Sequence, residues 1–191
     1  GIRVFVYTAT ESGRTWLSKG LLRKARQIAR TNVSMFRTLV NEERPLVGTE
    51  PSAILCFRDE YPDLVGDFMK QDALELSKNA LMIEEYICRL LDKGLVDKGL
   101  FTGQPKTVKL HGHCQQKAVA STAETIRMLS LPENYSVTEI PSGCCGMAGS
   151  FGYEKEHFAL SVQVGELVLF AEIRRSAKEM VIAVSETNWR H

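Results

Sequence analysis

Three cysteines in the second half of the chain have the residue types and spacing to do chemistry. Cys114 stands in "LHGHCQQ", and the adjacent pair Cys144 and Cys145 stands in "PSGCCGMAGSFGYE", residues 141–154. Adjacent cysteines rarely serve packing, because neighbouring side chains of an extended segment point to opposite sides. Gly143, Gly146 and Gly149 around them let a backbone turn sharply and come close to a ligand. Each motif follows a short apolar run that reads as a strand. In an open parallel sheet, residues just beyond the C-terminal strand ends share one rim, where ligands bind. Cys114, Cys144 and Cys145 can therefore converge on one site. Three thiolates with backbone amides and helix N-termini behind them suit an anionic iron–sulfur cluster.

Other readings of the same residues stay open. The three cysteines could be buried thiols. They could form a redox disulfide, and because a vicinal pair closes a strained ring, the bridge would join Cys114 to Cys144 or Cys145. His111 and His113 flank the first cysteine. They could be ligands, could donate hydrogen bonds to a cluster, or could cap the turn. Zinc competes for such a set, since Cys3His and Cys2His2 sites bind it well. His157 reads as a surface residue. Cys56 and Cys88 lie among apolar neighbours on helical patterns and read as core thiols. "EEY" at 84–86 and the charges of 154–156 read as solvated faces. No Ser-His-Asp signature, phosphate loop or GxGxxG is present.

The elements that must position these residues alternate between strand and helix patterns. Residues 3–8 read as a strand, Ser18 to about Val40 as a long helix, and 44–51 as a short strand and turn. Pro51 suits a helix start, and that helix is expected to run to Pro62. Residues 70–93 read as a helix ending at Gly94. Residues 102–106 read as a linker. Then come a strand at 107–111, a helix at 115–129, a strand at 135–140, a helix at 153–178 and a strand at 180–184. This order predicts an α/β fold with parallel sheets and helices on their faces.

The two halves form a weak repeat. "ESGR" followed by a long helix, a strand and "GTEPSA" parallels "GCCGM" followed by a long helix, a strand and "SETNWRH". The expected architecture is therefore two Rossmann-like halves, 1–103 and 104–191. The first repeat is expected to be truncated at its N-terminus, since it has no counterpart of the strand, "HGHC" and helix of 107–129. A partner chain or further sequence is expected to complete an exposed sheet edge there.

At 191 residues, 44% hydrophobic and 25% charged, the composition is that of an ordinary globular protein. A net charge of +1 with no basic stripe argues against nucleic acid as a partner. No apolar run is long enough to span a membrane, and the first residues do not read as a signal peptide. Five cysteines, an odd number, favour a reducing, cytoplasmic setting with thiols or metal ligands rather than a disulfide scaffold.

"HGHCQQKA" followed by "SGCCGMAGSFGYEKEHF" resembles the second cysteine-rich (CCG) domain of iron–sulfur oxidoreductases. That family includes the B subunit of heterodisulfide reductase and the glycolate oxidase iron–sulfur subunit. The likeness is greatest to the C-terminal part of flavin- and iron–sulfur-containing D-lactate or 2-hydroxyacid dehydrogenases. "GRTWLSKGLL" and "VGTEPSAILCFRDEYPDL" resemble the corresponding first-half segments, so the resemblance covers nearly the whole chain.

The resemblance implies an electron-transfer module of a flavin-linked 2-hydroxyacid oxidoreductase. It implies an iron–sulfur cluster, of the 4Fe-4S type, held by Cys114, Cys144 and Cys145 beside Gly146, with His111 or His113 nearby. FAD would lie on a partner dehydrogenase domain or subunit, in a homo- or hetero-oligomer. The pattern also departs from the family. Trp189 stands where the family has the trailing cysteine of the second half. Glu11, Ser12 and Ala53 stand at the first half's cysteine positions. The ligand set is then incomplete, and a cluster-free or zinc-binding interaction domain descended from that family is the alternative.

Overall fold

The computed structural model describes residues 1–7, 11–149 and 151–185. It is an α/β structure with two small parallel sheets. By contacts the chain divides into two compact units, residues 1–48 with 52–81 and residues 49–51 with 82–191. Residues 83–103, placed with the first half by the repeat pattern, thus group with the second unit.

In the first unit, α1 (Arg14–Ser18) and α2 (Leu22–Phe36) are separated by Gly20, whose φ of +71° ends the helix expected to run on from Ser18. α2 buries Ala25, Ala29, Asn32, Val33 and Phe36, the 3.6-residue spacing of one helical face. After β1 (Leu46–Gly48) come α3 (Pro51–Ile54), a 3-10 turn at Leu55–Phe57, α4 (Tyr61–Leu64) and α5 (Asp67–Lys78). Pro62 lies in the first turn of α4. It starts a helix there, as its missing N–H permits, instead of ending one. An aromatic row, Phe36–Phe57–Tyr61, joins α2 to this segment with ring centroids 6.1 and 4.4 Å apart.

β2 (Ala80–Met82) pairs with β1. It interrupts what the apolar pattern reads as one helix over 70–93. All three of its residues are buried, and a short apolar run buried on both faces has no period that separates strand from helix. The strand expected at 3–8 does not form among the described residues 3–7, and Val4, Phe5 and Val6 stand exposed. Among the described residues, the β1–β2 sheet has no third strand beside which they could pair.

In the second unit, α6 (Ile83–Asp92) packs on α8 (Ala123–Leu129). β3 (Lys106–His111) is the central strand of a parallel sheet, with β4 (Tyr135–Glu139) on one side and β5 (Val181–Val184) on the other. Leu110 pairs with Glu139, and His111 pairs with Val184. The strands therefore finish together and form the rim that the sequence implies. α7 (Cys114–Val119) and α8 connect β3 to β4, while α9 (Phe158–Glu166) and α10 (Leu169–Arg175) lead to β5. Two expected long helices are each two. The first breaks at Ala120, and Ser121 Oγ accepts the N–H of Ala123, the first residue of α8, at 3.0 Å. The second breaks at Val168, and a 3-10 turn at Phe151–Tyr153 precedes it. No helix among the described residues is long and apolar enough to cross a membrane.

Candidate functional site

The rim of the second sheet gathers the residues singled out by their chemistry. β3 delivers His111 at its last position, 1% exposed. His111 Nδ1 is hydrogen-bonded to Ser142 Oγ at 2.7 Å. His113 is the N-cap of α7, and its Nδ1 accepts the N–H of Gln115 at 3.2 Å. Both histidines thus have local structural roles, one below the rim and one at a helix start. Cys114 is the first residue of α7 and is exposed.

After β4 the chain runs without regular structure through Cys144 and Cys145 to Gly146. Cys144 is half-buried and Cys145 buried. Gly146 has φ +97°, and a Cβ there would lie 2.1 Å from the carbonyl oxygen of Ser161 on α9. Only glycine fits that turn and that approach. One helical turn along α9, a Cβ on Gly165 would lie 3.0 Å from the carbonyl oxygen of Cys145. Ser161 and Gly165 thus form a small-residue seat into which the backbone of the cysteine loop settles. Behind it, Ile140, Cys145, Met147 and Leu169 form a buried cluster.

The three thiols meet at Cys144. Hydrogen bonding with Cys114, and next with Cys145, pulls the Cys144 thiol far below the usual thiol range. Desolvation opposes this, and the N–H groups of Gly146 and Ala148 add to it. The Gly146 N–H donates to Cys144 Sγ at 3.3 Å. These contacts favour the ionised form of the thiol group at Cys144, and the thiolate is the form that ligates metals. The side toward Gly143 is open, since a Cβ there would meet nothing within 4 Å. Among the described residues no group of three or more His, Cys, Asp or Glu side chains is arranged to hold a metal ion. The segment with Trp189 lies outside the described residues.

Cys56 and Cys88 are buried core thiols, as their apolar neighbours imply. Burial, and then Glu60, pushes the Cys56 thiol up to about 12. The expectation of a solvated "EEY" face is corrected at Glu84, which is only 6% exposed. Its Oε1 accepts Thr125 Oγ1 at 2.9 Å and Gln116 Nε2 at 3.4 Å. A buried carboxylate is tolerated when its oxygens are hydrogen-bonded in this way.

Sequence reasoning passed over the polar side chains that hold the rim. Gln116, fully buried on α7, donates to Thr125 Oγ1 at 2.8 Å and to the Ser121 carbonyl at 3.0 Å. Lys117 and Glu139 pair at 3.1 Å. Their positions beside motif residues were the available signal, but nothing in a linear reading says which face of a short helix turns inward.

No family model matches the chain, and no solved structure matches it. Curated relatives do. The C subunit of the anaerobic glycerol-3-phosphate dehydrogenase of Escherichia coli strain K12 is 31% identical over 176 residues, which is 90% of this chain and 42% of the relative. The D-2-hydroxyglutarate dehydrogenase of Escherichia coli strain K12 is 24% identical over 189 residues, 96% of this chain and 17% of the relative. That of Pantoea ananatis is 23% identical over 173 residues, 90% of this chain and 16% of the relative. The chain therefore spans less than half the length of each of these relatives. It is a homologue of these dehydrogenase components, consistent with the iron–sulfur CCG domain of 2-hydroxyacid dehydrogenases.

Proposed function

We propose that the chain is an iron–sulfur electron-transfer module of a flavin-linked dehydrogenase acting on a small hydroxy acid or related polyol phosphate. The observation that supports this reading is the meeting of Cys114, Cys144 and Cys145 at one sheet rim, where their mutual hydrogen bonding lowers the Cys144 thiol. The donor type suits the group: soft cysteine sulfurs are the ligands that such clusters take. Cys114, Cys144 and Cys145 would hold the cluster, while Gly146 shapes the loop, and His111 and His113 support the rim. When bound, an iron–sulfur cluster accepts and releases single electrons, here between a flavin partner and an acceptor.

The chain's own contribution is placement. The Ser161–Gly165 seat fixes the cysteine loop, amides of Gly146 and Ala148 stabilise negative charge on sulfur, and the buried flank of Cys145 keeps water from one side. Residues 1–103 are read as a degenerate counterpart without a cluster. Zinc on the same cysteines with a histidine is the alternative reading, and metal analysis separates the two.

The test is iron and acid-labile sulfide content of the chain purified without oxygen, with its visible spectrum. Iron with sulfide, lost in Cys144→Ser and retained in Cys56→Ser, is expected. Zinc alone, or no metal after anaerobic reconstitution, would overturn the reading.

A further inference from the structure

We infer that Lys117 is the positioning residue that fixes the separation between the Cys114 helix and the Cys144–Cys145 loop. This rests on the reading of the three cysteines as one ligand set. The Cys114 and Cys144 segments leave the sheet at the ends of β3 and β4, so the strand ladder does not hold them beyond that point. Lys117 lies three residues after Cys114 on the same short helix, a spacing that puts both side chains on one face. Its Nζ donates to the carbonyl oxygen of Ser142 at 2.8 Å, two residues before Cys144. The same Nζ pairs with Glu139 Oε1 at 3.1 Å.

Each anchor is itself fixed. Glu139 Oε2 accepts Thr122 Oγ1 at 2.6 Å. Ser142 is bonded a second time through its hydroxyl, to His111 Nδ1 at 2.7 Å. Even the stem of Lys117 has a set course, because a Cβ on Gly112 would lie 2.9 Å from its Cε. Lys117 is 27% and Glu139 28% exposed, so the clamp is shielded enough for a charge-assisted hydrogen bond to hold its geometry. Both ends of this cross-link lie within three residues of a ligating sulfur, and a ligand set must be held to within roughly 0.5 Å to work.

The experiment compares the 191-residue chain with its Lys117→Met, Lys117→Arg and Glu139→Gln variants. In the metal-free protein, a short bifunctional thiol reagent is applied and the Cys114 cross-link to Cys144 or Cys145 is mapped by mass spectrometry. In parallel, iron and sulfide uptake is measured after anaerobic reconstitution. Lys117→Met keeps the apolar stem but removes both bonds, and a fall in cross-linking rate and in iron affinity of at least about tenfold is expected, the scale of a lost supporting contact to a metal ligand. Lys117→Arg should restore both. Should Lys117→Met fail to fold, Glu139→Gln keeps Lys117 and should show the same loss in weaker form. Wild-type cross-linking in the folded Lys117→Met or Glu139→Gln chain would overturn the assignment. A wild-type chain that takes up no iron or sulfide would instead overturn the cluster reading, while the cross-linking rates still decide whether Lys117 sets the spacing.

Discussion

Gly146→Ala tests the seat of the cysteine loop most directly. The position has φ +97°, a conformation that costs an L-residue about 1–2 kcal/mol. The added Cβ would lie 2.1 Å from the Ser161 carbonyl oxygen and 2.9 Å from its carbonyl carbon. Those are backbone atoms of α9, so no side chain can swing aside. Either α9 or the loop must move, and overpacking of this kind costs about 1–3 kcal/mol. Together the loss is about 2–5 kcal/mol, a large part of the ~5–15 kcal/mol that holds a domain folded. With a urea slope of about 2 kcal/mol/M, the midpoint of the second unit should fall by about 1–2.5 M. Two controls bracket the result. Gly143→Ala adds a Cβ that meets nothing within 4 Å and should stay within about 0.5 kcal/mol of wild type. Gly13→Ala carries the strain of φ +76° with its nearest contact at 3.3 Å, on the Ile28 side chain, and should lose only the ~1–2 kcal/mol of the backbone strain. A Gly146→Ala chain within about 0.5 kcal/mol of wild type would refute the reasoning, as would a Gly143→Ala chain that loses more than it.

Buried groups supply two more tests. Burial and then Glu60 raise the Cys56 thiol from 9.0 to about 12, so its neutral form contributes up to ~4 kcal/mol, intact below pH ~9 and lost as pH rises from there toward 12; urea midpoints should drop across that window in wild type and less steeply in Cys56→Ala, and a flat wild-type profile would sink the assignment. Ser161 is fully buried, and its hydroxyl has no hydrogen-bond partner among the described residues, so Ser161→Ala should leave stability unchanged or raise it by about 1 kcal/mol; a clear loss in a denaturant melt would show that the hydroxyl has work to do.

The pattern of strands and glycines made the second half of the fold legible. β3, β4 and β5 fall where short β-branched or aromatic-containing runs stand between turn residues and helical patterns, although only β3 buries residues fully. What stayed hidden was where helices break. The interruption at Ala80–Met82 depends on pairing with β1, a non-local event that no helical period records. At the Val168 break the backbone leaves the helical region, with φ −142° and ψ −53°, which no apolar period in the sequence records. The cysteines were legible because their type and glycine setting are rare. Lys117, Gln116 and Glu84 were not, because Lys, Gln and Glu on a helix are usually solvated, and their burial depends on which way α6 and α7 turn.

The first unit shows what the same backbone device does without thiols. Gly13, at φ +76°, brings its loop against Ile28 and Ala25 of α2, as Gly146 brings its loop against Ser161. There the loop is tied by ordinary polar groups. Asn32 Nδ2 donates to the Glu11 carbonyl at 2.8 Å and to Tyr61 Oη at 2.7 Å, and Tyr61 Oη donates to the Ser12 carbonyl at 2.9 Å. Trp16 Nε1 holds the Glu11 carboxylate at 3.0 Å, and Arg14 pairs with Glu60. Cys56, the one thiol nearby among the described residues, donates to the Ser52 carbonyl at 3.0 Å and is kept protonated by burial, the opposite of what a ligand needs. Around Glu11 and Ser12 the loop is therefore anchored on its helix by these hydrogen bonds. The two loops differ in their side chains, and among the described residues it is in the second unit that thiols, those of Cys114, Cys144 and Cys145, are brought together.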